Sequence, residues 1–139
     1  MKTRLLIILF AAIFACANIS AQTQKEVSDK LDFKETVYDF GTITQKHEPI
    51  VHEFEFVNNT GAPVAILSVS TSCGCTKPEY PKEPVANGKS GKIKITFDPD
   101  GQKGSQSKHI VVRYQRAMDK DTKRQTLRLN GNVVKKAKK

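Results

Sequence analysis

The feature that most restricts the fold of this chain is a two-residue alternation of apolar and polar side chains in short runs. It is clearest in residues 92–98, where Ile93, Ile95 and Phe97 alternate with lysine and threonine. Successive side chains of a β-strand point to opposite faces, so this run predicts a strand with one face in the core. No window keeps the spacing of an amphipathic helix, and the chain is therefore predicted to be all-β.

Five further runs are interpreted as strands separated by turn residues. They cover residues 33–40, which Gly41 is predicted to close, and residues 50–57, 64–70, 109–114 and 126–134. Residues 64–70 lack a polar face, which is typical of a buried central strand. Three prolines keep residues 76–91 out of a sheet interior, with a short edge strand predicted at residues 84–86. Six or seven strands in residues 32–134 predict an immunoglobulin-like antiparallel two-sheet sandwich.

Residues 1–21 are predicted to be a secretory signal peptide that precedes this domain. Two basic residues come before an apolar run at residues 5–14, and small residues follow as far as Ala21. Cleavage is expected after Ala21, and the alternatives are cleavage after Ala17 or lipidation of Cys16 in a lipoprotein-like box. We therefore expect an exported protein, periplasmic or cell-surface, with residues 22–31 as a linker and no transmembrane segment.

The positive charge of the chain raises the question of an anionic partner. The formal net charge is +9, and removal of Lys2 and Arg4 with the signal peptide lowers it to +7. Because the basic residues are spread along the chain, most of them are interpreted as a solvated surface. An exported protein rarely meets nucleic acid, so a weak contact of the basic tail, residues 135–139, with an anionic glycan or lipid surface is the alternative.

Cys73 and Cys75 are the cysteines that remain after signal-peptide cleavage. In an extended strand their Cα atoms would lie about 6.6 Å apart, near the upper limit for a disulfide. Gly74 permits the turn that brings them closer, so Cys73 and Cys75 form a candidate disulfide. The candidate binding loop consists of Ser72, Cys73, Gly74, Cys75 and Thr76.

Several interpretations of this pair stay open. The first interpretation is a structural clamp, and the second is a binding loop whose conformation the pair fixes. The third is a thiol redox site, and the fourth is a soft-metal site for copper or zinc. Zinc needs two further ligands, and the sequence offers only scattered candidates: His47, His52, His109 and Met118. His52 is expected to face inward in a structural role, and His109 is expected to face solvent.

No motif of a known catalytic site occurs in the sequence. A nucleophile elbow, a phosphate-binding glycine loop and a His-Glu-x-x-His zinc motif are all missing. The chain is therefore predicted to be neither an enzyme nor dependent on a cofactor.

Four motifs in chain order resemble the bacterial DUF1573 domain, and the resemblance extends from residue 33 to residue 134. They are Asp39-Phe40-Gly41-Thr42-Ile43, Phe54-Glu55-Phe56-Val57-Asn58-Asn59-Thr60-Gly61, Ser72-Cys73-Gly74-Cys75-Thr76 and Gly88-Lys89-Ser90-Gly91-Lys92-Ile93. This family is common in Bacteroidetes and is similar to the immunoglobulin-like domains of the ASPM/SPD-2/Hydin and major-sperm-protein group. The resemblance implies a sandwich fold and an exported protein, but no activity.

These observations favour a non-enzymatic binding or structural module of the cell envelope, with an unknown envelope protein or glycan as its partner. A thiol-redox or soft-metal protein that uses the Cys-Gly-Cys loop is the alternative.

Overall fold

The computed structural model describes residues 27–135 of the 139-residue chain. The predicted signal peptide, the cleavage sites and Cys16 lie outside the described residues. The same holds for residues 22–26 of the predicted linker and for all of the basic tail except Lys135. Leu31, the last residue of that linker, is 2% exposed and packs in the core, so the packed part of the chain begins before Asp32.

The described residues form eight β-strands in two four-stranded sheets. The strands are β1 (Asp32–Phe33), β2 (Val37–Thr44), β3 (Ile50–Val57), β4 (Val64–Thr71), β5 (Thr76–Glu79), β6 (Ser90–Phe97), β7 (Gly104–Arg116) and β8 (Lys123–Val134). Sheet A has the order β1-β3-β6-β5, and sheet B has the order β2-β8-β7-β4. The predicted all-β sandwich is confirmed, with eight strands where about seven were expected.

The core lies between the two sheets and is built by the alternation seen in the sequence. Ile93, Ile95 and Phe97 of β6 are completely buried, while Lys92 and Lys94 point outward. The same period places Leu127 and Leu129 of β8 inside. Burying one such side chain contributes roughly 1.5–3 kcal/mol. The complete set of buried apolar residues is Leu31, Phe54, Phe56, Val64, Ile66, Val69, Val85, Ile93, Ile95, Phe97, Ile110, Val112, Tyr114, Leu127, Leu129 and Val133.

The strand predicted at residues 33–40 is two strands in different sheets. β1 pairs with β3, and β2 runs parallel to β8, so sheet B is mixed and not purely antiparallel. Gly41 does not close the strand. It lies inside β2 with a φ of 71°, where the register with β8 shifts, and its N–H donates to Asp39 Oδ1 at 2.7 Å. A glycine can form this bulge without a Cβ penalty. Glycine often ends a strand, but in β2 it lies at a bulge and the strand continues beyond it.

Strand β4 lies at the edge of sheet B, and the prediction of a buried central strand was wrong. Its outward residues are small, Ala65, Ser68 and Ser70, so the run looked uniformly non-charged in the sequence. Leu67 is 48% exposed at a register shift between Ile66 and Ser68. The outward side of this strand therefore carries small uncharged side chains and one exposed leucine, while Val64, Ile66 and Val69 are buried.

Part of the proline-rich segment belongs to sheet A. Residues 76–79 form β5, which holds Pro78 on the free edge of the sheet, where a missing N–H costs no ladder hydrogen bond. The edge strand predicted at residues 84–86 is reduced to one bridge, in which Val85 and Val64 exchange backbone hydrogen bonds of 2.8 and 2.9 Å. That bridge covers one end of β4.

Buried Asn58 organises the turn between β3 and β4. Its side-chain amide donates to the carbonyl oxygens of Ala62 and Val85, both at 2.8 Å, and its Oδ1 accepts from Thr60 N and Oγ1. A buried amide is stable only when its hydrogen bonds are made, and here every polar atom of the side chain has a partner. This turn is therefore fixed by tertiary contacts as well as by its local sequence.

Candidate functional site

The Cys73–Cys75 loop is the place where the chain crosses from one sheet to the other. Strand β4 of sheet B ends at Thr71, and β5 of sheet A begins at Thr76. Within the loop the Sγ atoms lie 2.02 Å apart, a disulfide, and the Cα atoms are 5.2 Å apart. The Cα separation is shorter than an extended chain allows because Thr76 N donates to Cys73 O at 3.1 Å and closes a turn.

Hydrogen bonds between residues of the loop stabilise its conformation. The Thr71 hydroxyl lies 3.0 Å from the carbonyl oxygens of both Cys73 and Thr76, so it bridges the two ends of the crossover. The backbone N–H of Cys75 donates to Cys73 Sγ at 3.1 Å. Thr76 is buried, with its Oγ1 3.7 Å from Cys75 Sγ. The loop is thus an ordered piece of backbone.

Two further contacts attach the loop to the sandwich. Ser72 exchanges hydrogen bonds with the backbone of His109 in β7, through its N–H at 3.2 Å and its Oγ at 3.3 Å. On the other side, Asp98 N, just after β6, donates to Cys75 O at 2.9 Å. The loop is therefore hydrogen-bonded to β7 of sheet B and to the end of β6 of sheet A.

A cavity of about 380 Å³ opens beside the loop. Gly74 and Cys75 form one side, and Pro49, Lys77 and Asp100 contribute to the rest of the lining. Asp98 is also part of the wall, so one ammonium and two carboxylate groups surround the opening. The arrangement provides a concave, polar contact surface next to an exposed backbone segment.

The predicted loop residues differ in what they can contact. Ser72 and Gly74 are exposed, Cys73 and Cys75 are half-buried, and Thr76 is buried. No atom lies within 4 Å of the position that a Cβ on Gly74 would occupy. The contact surface therefore consists of residues 72–75, and Thr76 is a support.

Sequence reasoning missed the residues that surround the loop. Asp98, Asp100 and Pro49 are far from Cys73 in the chain. Asp98 and Asp100 reach it because Thr76 of β5 pairs with Phe97 of β6, and Pro49 because Ile50 of β3 pairs with the same phenylalanine. His109 likewise comes next to Ser72 through the β4–β7 pairing. The Asp-Pro-Asp-Gly run was a visible turn signal, but its place in the fold depends on strand pairing.

The scattered metal-ligand candidates do not come together. Within residues 27–135, no three His, Cys, Asp or Glu side chains form a group that could hold a metal ion. His47 lies in the turn after β2, Met118 lies in the β7–β8 connection, and His109 is exposed on β7. As long as the disulfide is closed, Cys73 and Cys75 offer no thiolate.

His52 packs into the rim of the core, as expected from the pattern of β3. Its ring stacks on Tyr38 with centroids 3.7 Å apart and meets the Phe54 ring edge-on at 4.7 Å. Its Nε2 lies 2.9 Å from Glu35 Oε1, without the alignment of a hydrogen bond. These contacts give His52 a packing role between the sheets.

Comparison with known proteins shows the family of this chain. The model of the family described as "Protein of unknown function (DUF1573)" matches residues 31–133, nearly all of the described chain. The chain belongs to the DUF1573 family. The curated proteins contain no match to this DUF1573 chain. No helix in residues 27–135 is long and apolar enough to cross a membrane.

Solved structures share the fold of this DUF1573 domain at low identity. The Vibrio cholerae VesB protease is 14% identical with a TM-score of 0.61, and the match covers 75% of this chain and 32% of that one. A protein of unknown function from Porphyromonas gingivalis W83 is 16% identical over 81% of this chain and 51% of that one, with a TM-score of 0.58. The YadV chaperone is 9% identical over 74% and 51%, with a TM-score of 0.56. The chain spans about a third to a half of these structures, and the likeness shows the fold alone.

Proposed function

We propose that this DUF1573 protein is an exported, non-enzymatic binding or structural module. It presents residues 72–75 and the adjacent cavity to a protein or glycan of the cell envelope, in the periplasm or at the cell surface. The observation that carries the proposal is the double attachment of the loop, by Ser72 to β7 and by Cys75 to the end of β6.

Rigid attachment favours binding because a preordered loop loses little conformational entropy when a partner docks. Here the disulfide, the Thr71 hydroxyl and the two tethers fix the backbone while Ser72 and Gly74 stay exposed. The cavity beside Gly74 adds charged groups of both signs, from Lys77 and from the two aspartates. Groups of both signs match a zwitterionic or mixed polar partner better than a purely apolar one.

Site-specific crosslinking tests this proposal directly. A photoreactive amino acid replaces Gly74, where a side chain has room, and the protein is illuminated in the native envelope fraction. A matched control carries the same probe at Val51, which is 54% exposed on the outer face of sheet A. We expect one dominant adduct from position 74 that is missing at position 51. Equal adducts at both positions, or none at either, would contradict the proposal.

The second candidate function is thiol-disulfide chemistry, and one contact favours it. If the bridge is reduced, the Cys75 N–H that now points at Cys73 Sγ at 3.1 Å is placed to stabilise a Cys73 thiolate. Two electrons and two protons from a partner dithiol would open the bridge, and that dithiol would become oxidised. The two resulting thiols also form the soft-metal alternative for copper or zinc.

The two candidates differ in their response to a change of both cysteines. In Cys73→Ser/Cys75→Ser, partner crosslinking from position 74 should largely persist if the pair is a clamp. Alkylation followed by intact mass measurement in glutathione redox buffers tests the chemical candidate. A bridge that opens at roughly −180 to −230 mV supports redox function, and one that stays closed to below about −300 mV contradicts it.

A further inference from the structure

The outward face of sheet B carries an arginine row that the proposed function does not use. We define this row as Arg113 of β7 and Arg124 and Arg128 of β8, all exposed. In the antiparallel β7–β8 pair, Arg113 lies directly opposite Arg124, and His109 lies directly opposite Arg128. The two central strands of the sheet therefore place basic side chains against each other.

On the opposite face of the sandwich, in contrast, basic side chains lie beside acidic ones. On the outside of sheet A, lysines pair with glutamates: Lys92 with Glu53 at 2.6 Å, Lys94 with Glu79 at 3.0 Å, and Lys34 with Glu55. Lys34 lowers the pKa of the exposed Glu55 carboxyl by hydrogen bonding and by its charge. Three lysines of this face are therefore neutralised by neighbouring glutamates.

The arginine row has no such partners among residues 27–135. None of its three guanidinium groups has a carboxylate within 4 Å there, whereas Arg116, the remaining arginine of the described chain, is held by Asp119 at 3.0 Å. Like charges directly opposite on neighbouring strands are unfavourable. A surface that keeps them is complementary to an anionic ligand.

The row continues along the same strands into a polar groove. Beyond Arg128, β8 presents Asn130 and Asn132, which lie opposite Ser107 and Ser105 of β7. These side chains, with Asp39 and Thr42 of β2, line a shallow cavity of about 430 Å³. Ser107 Oγ donates to Asn130 Oδ1 at 3.0 Å, and hydroxyl and amide groups of this kind exchange hydrogen bonds with sugar hydroxyls.

We propose that the outer face of sheet B binds a linear acidic polysaccharide laid along β8. Its carboxylate or sulfate groups pair with Arg113, Arg124 and Arg128, and its hydroxyl groups enter the polar groove. From Arg124 to Asn132 the strand rises about 26 Å, long enough for several sugar units. No Phe, Tyr or Trp of β7 or β8 points outward, so the face lacks the stacking platforms that nucleic-acid bases use.

The test uses the full chain and polygalacturonate fragments as the acidic probe, with dextran as the neutral one. Calorimetric titration compares the unchanged protein with Arg113→Gln/Arg124→Gln/Arg128→Gln and with a matched variant, Lys30→Gln/Lys82→Gln/Lys89→Gln, which removes the same charge from exposed sites elsewhere. We expect the arginine variant to bind polygalacturonate at least about tenfold more weakly and the lysine variant to change by less than about threefold.

Four further variants locate the binding. Replacing the three arginines by lysine keeps the charge but loses the forked guanidinium, and about a threefold loss is expected. Asn130→Ala should weaken binding without changing its salt dependence. Deletion of residues 135–139 and Cys73→Ser/Cys75→Ser should leave the affinity unchanged, so this result is separate from the test of the loop.

Other outcomes would overturn the proposal. Equal losses in the arginine and lysine variants would show a general charge effect, and a loss only on tail deletion would assign the contact to the basic tail. Equal affinity for dextran, or no binding to polygalacturonate at low salt, would exclude an acidic glycan. Tighter arginine-dependent binding of single-stranded DNA or of phosphatidylglycerol vesicles would assign the face to a different partner.

Discussion

At the scale of single residues, the buried polar groups are as restrictive as the apolar ones. Asn58 is completely buried and satisfies two carbonyl oxygens and a backbone N–H from the turn and from Val85. Asn87 makes one similar contact, from Gly61 N to its Oδ1 at 2.8 Å, but at the surface. Substitution of each asparagine therefore distinguishes the contribution of burial to stability from that of a side-chain hydrogen bond.

We expect Asn58→Ala to lower the free energy of unfolding by about 3 kcal/mol, because it leaves several buried groups without partners. Asn87→Ala should cost about 1 kcal/mol or less, since water replaces the lost acceptor. Urea denaturation of both variants measures the difference. Equal losses would mean that burial of the Asn58 network contributes nothing of its own.

Tyr114 makes the stability of the fold depend on pH in alkaline solution. Burial raises the pKa of its hydroxyl above the ordinary value of 10.0, because the charged form is poorly solvated in the core. A raised folded-state pKa means that this contribution to stability is complete below pH 10 and is lost as the pH rises through the folded-state pKa. We expect Tyr114→Phe to unfold at higher pH than the unchanged protein in denaturation between pH 8 and about 11. Superimposable curves would contradict the prediction.

At the scale of elements, side-chain alternation could be predicted from sequence but strand neighbours could not. The period-two pattern of β6 correctly assigned the inward residues Ile93, Ile95 and Phe97. Alternation says which way a side chain points, but not which strand lies beside it. The parallel β2–β8 pair, the edge position of β4 and the short strand β5 therefore appear only in the structure.

The candidate site could likewise be predicted only in part from the sequence. Residues 72–76 were found because cysteine and glycine restrict local geometry. The cavity beside them was not, because Asp98, Asp100 and Pro49 arrive through pairing of distant strands. The arginine row was equally hidden: Arg113 and Arg124 are separated by a polar connection, and only the register of β7 with β8 sets them opposite each other.

The β7–β8 register places two arginines opposite each other, and we expect their repulsion to lower the free energy of unfolding. Because Arg113 faces Arg124, Arg124→Gln should raise the free energy of unfolding by about 0.5 kcal/mol at low salt. Added salt should reduce this gain, since the repulsion is between exposed charges. Arg116→Gln is the control and should be destabilising, because it removes the contacts with Asp119 and with Thr60 O. Thermal unfolding at two salt concentrations measures both, and a loss of stability in Arg124→Gln would contradict the prediction.

At the scale of the whole molecule, the question is whether the disulfide or the core holds the sandwich together. Cys73 and Cys75 close a loop of only three residues, and the stabilisation from closing a loop is smallest for the shortest loops because it increases with the logarithm of loop length. The core, in contrast, joins both sheets through large side chains such as Phe54, Phe97 and Tyr114, each 0–1% exposed. The bridge therefore mainly fixes the conformation of the loop, and the core provides most of the stability.

Two variants measure this division. We expect Cys73→Ser/Cys75→Ser to lower the free energy of unfolding by about 1.5 kcal/mol, the chain-entropy value for so small a loop. Phe54→Ala should cost about 3–5 kcal/mol, because it leaves a cavity between the sheets. In urea denaturation the serine variant should keep the denaturant slope of the unchanged protein, since the same surface is exposed on unfolding. A greater loss from the serine pair than from Phe54→Ala would show that the bridge, and not the core, is the main support of the fold.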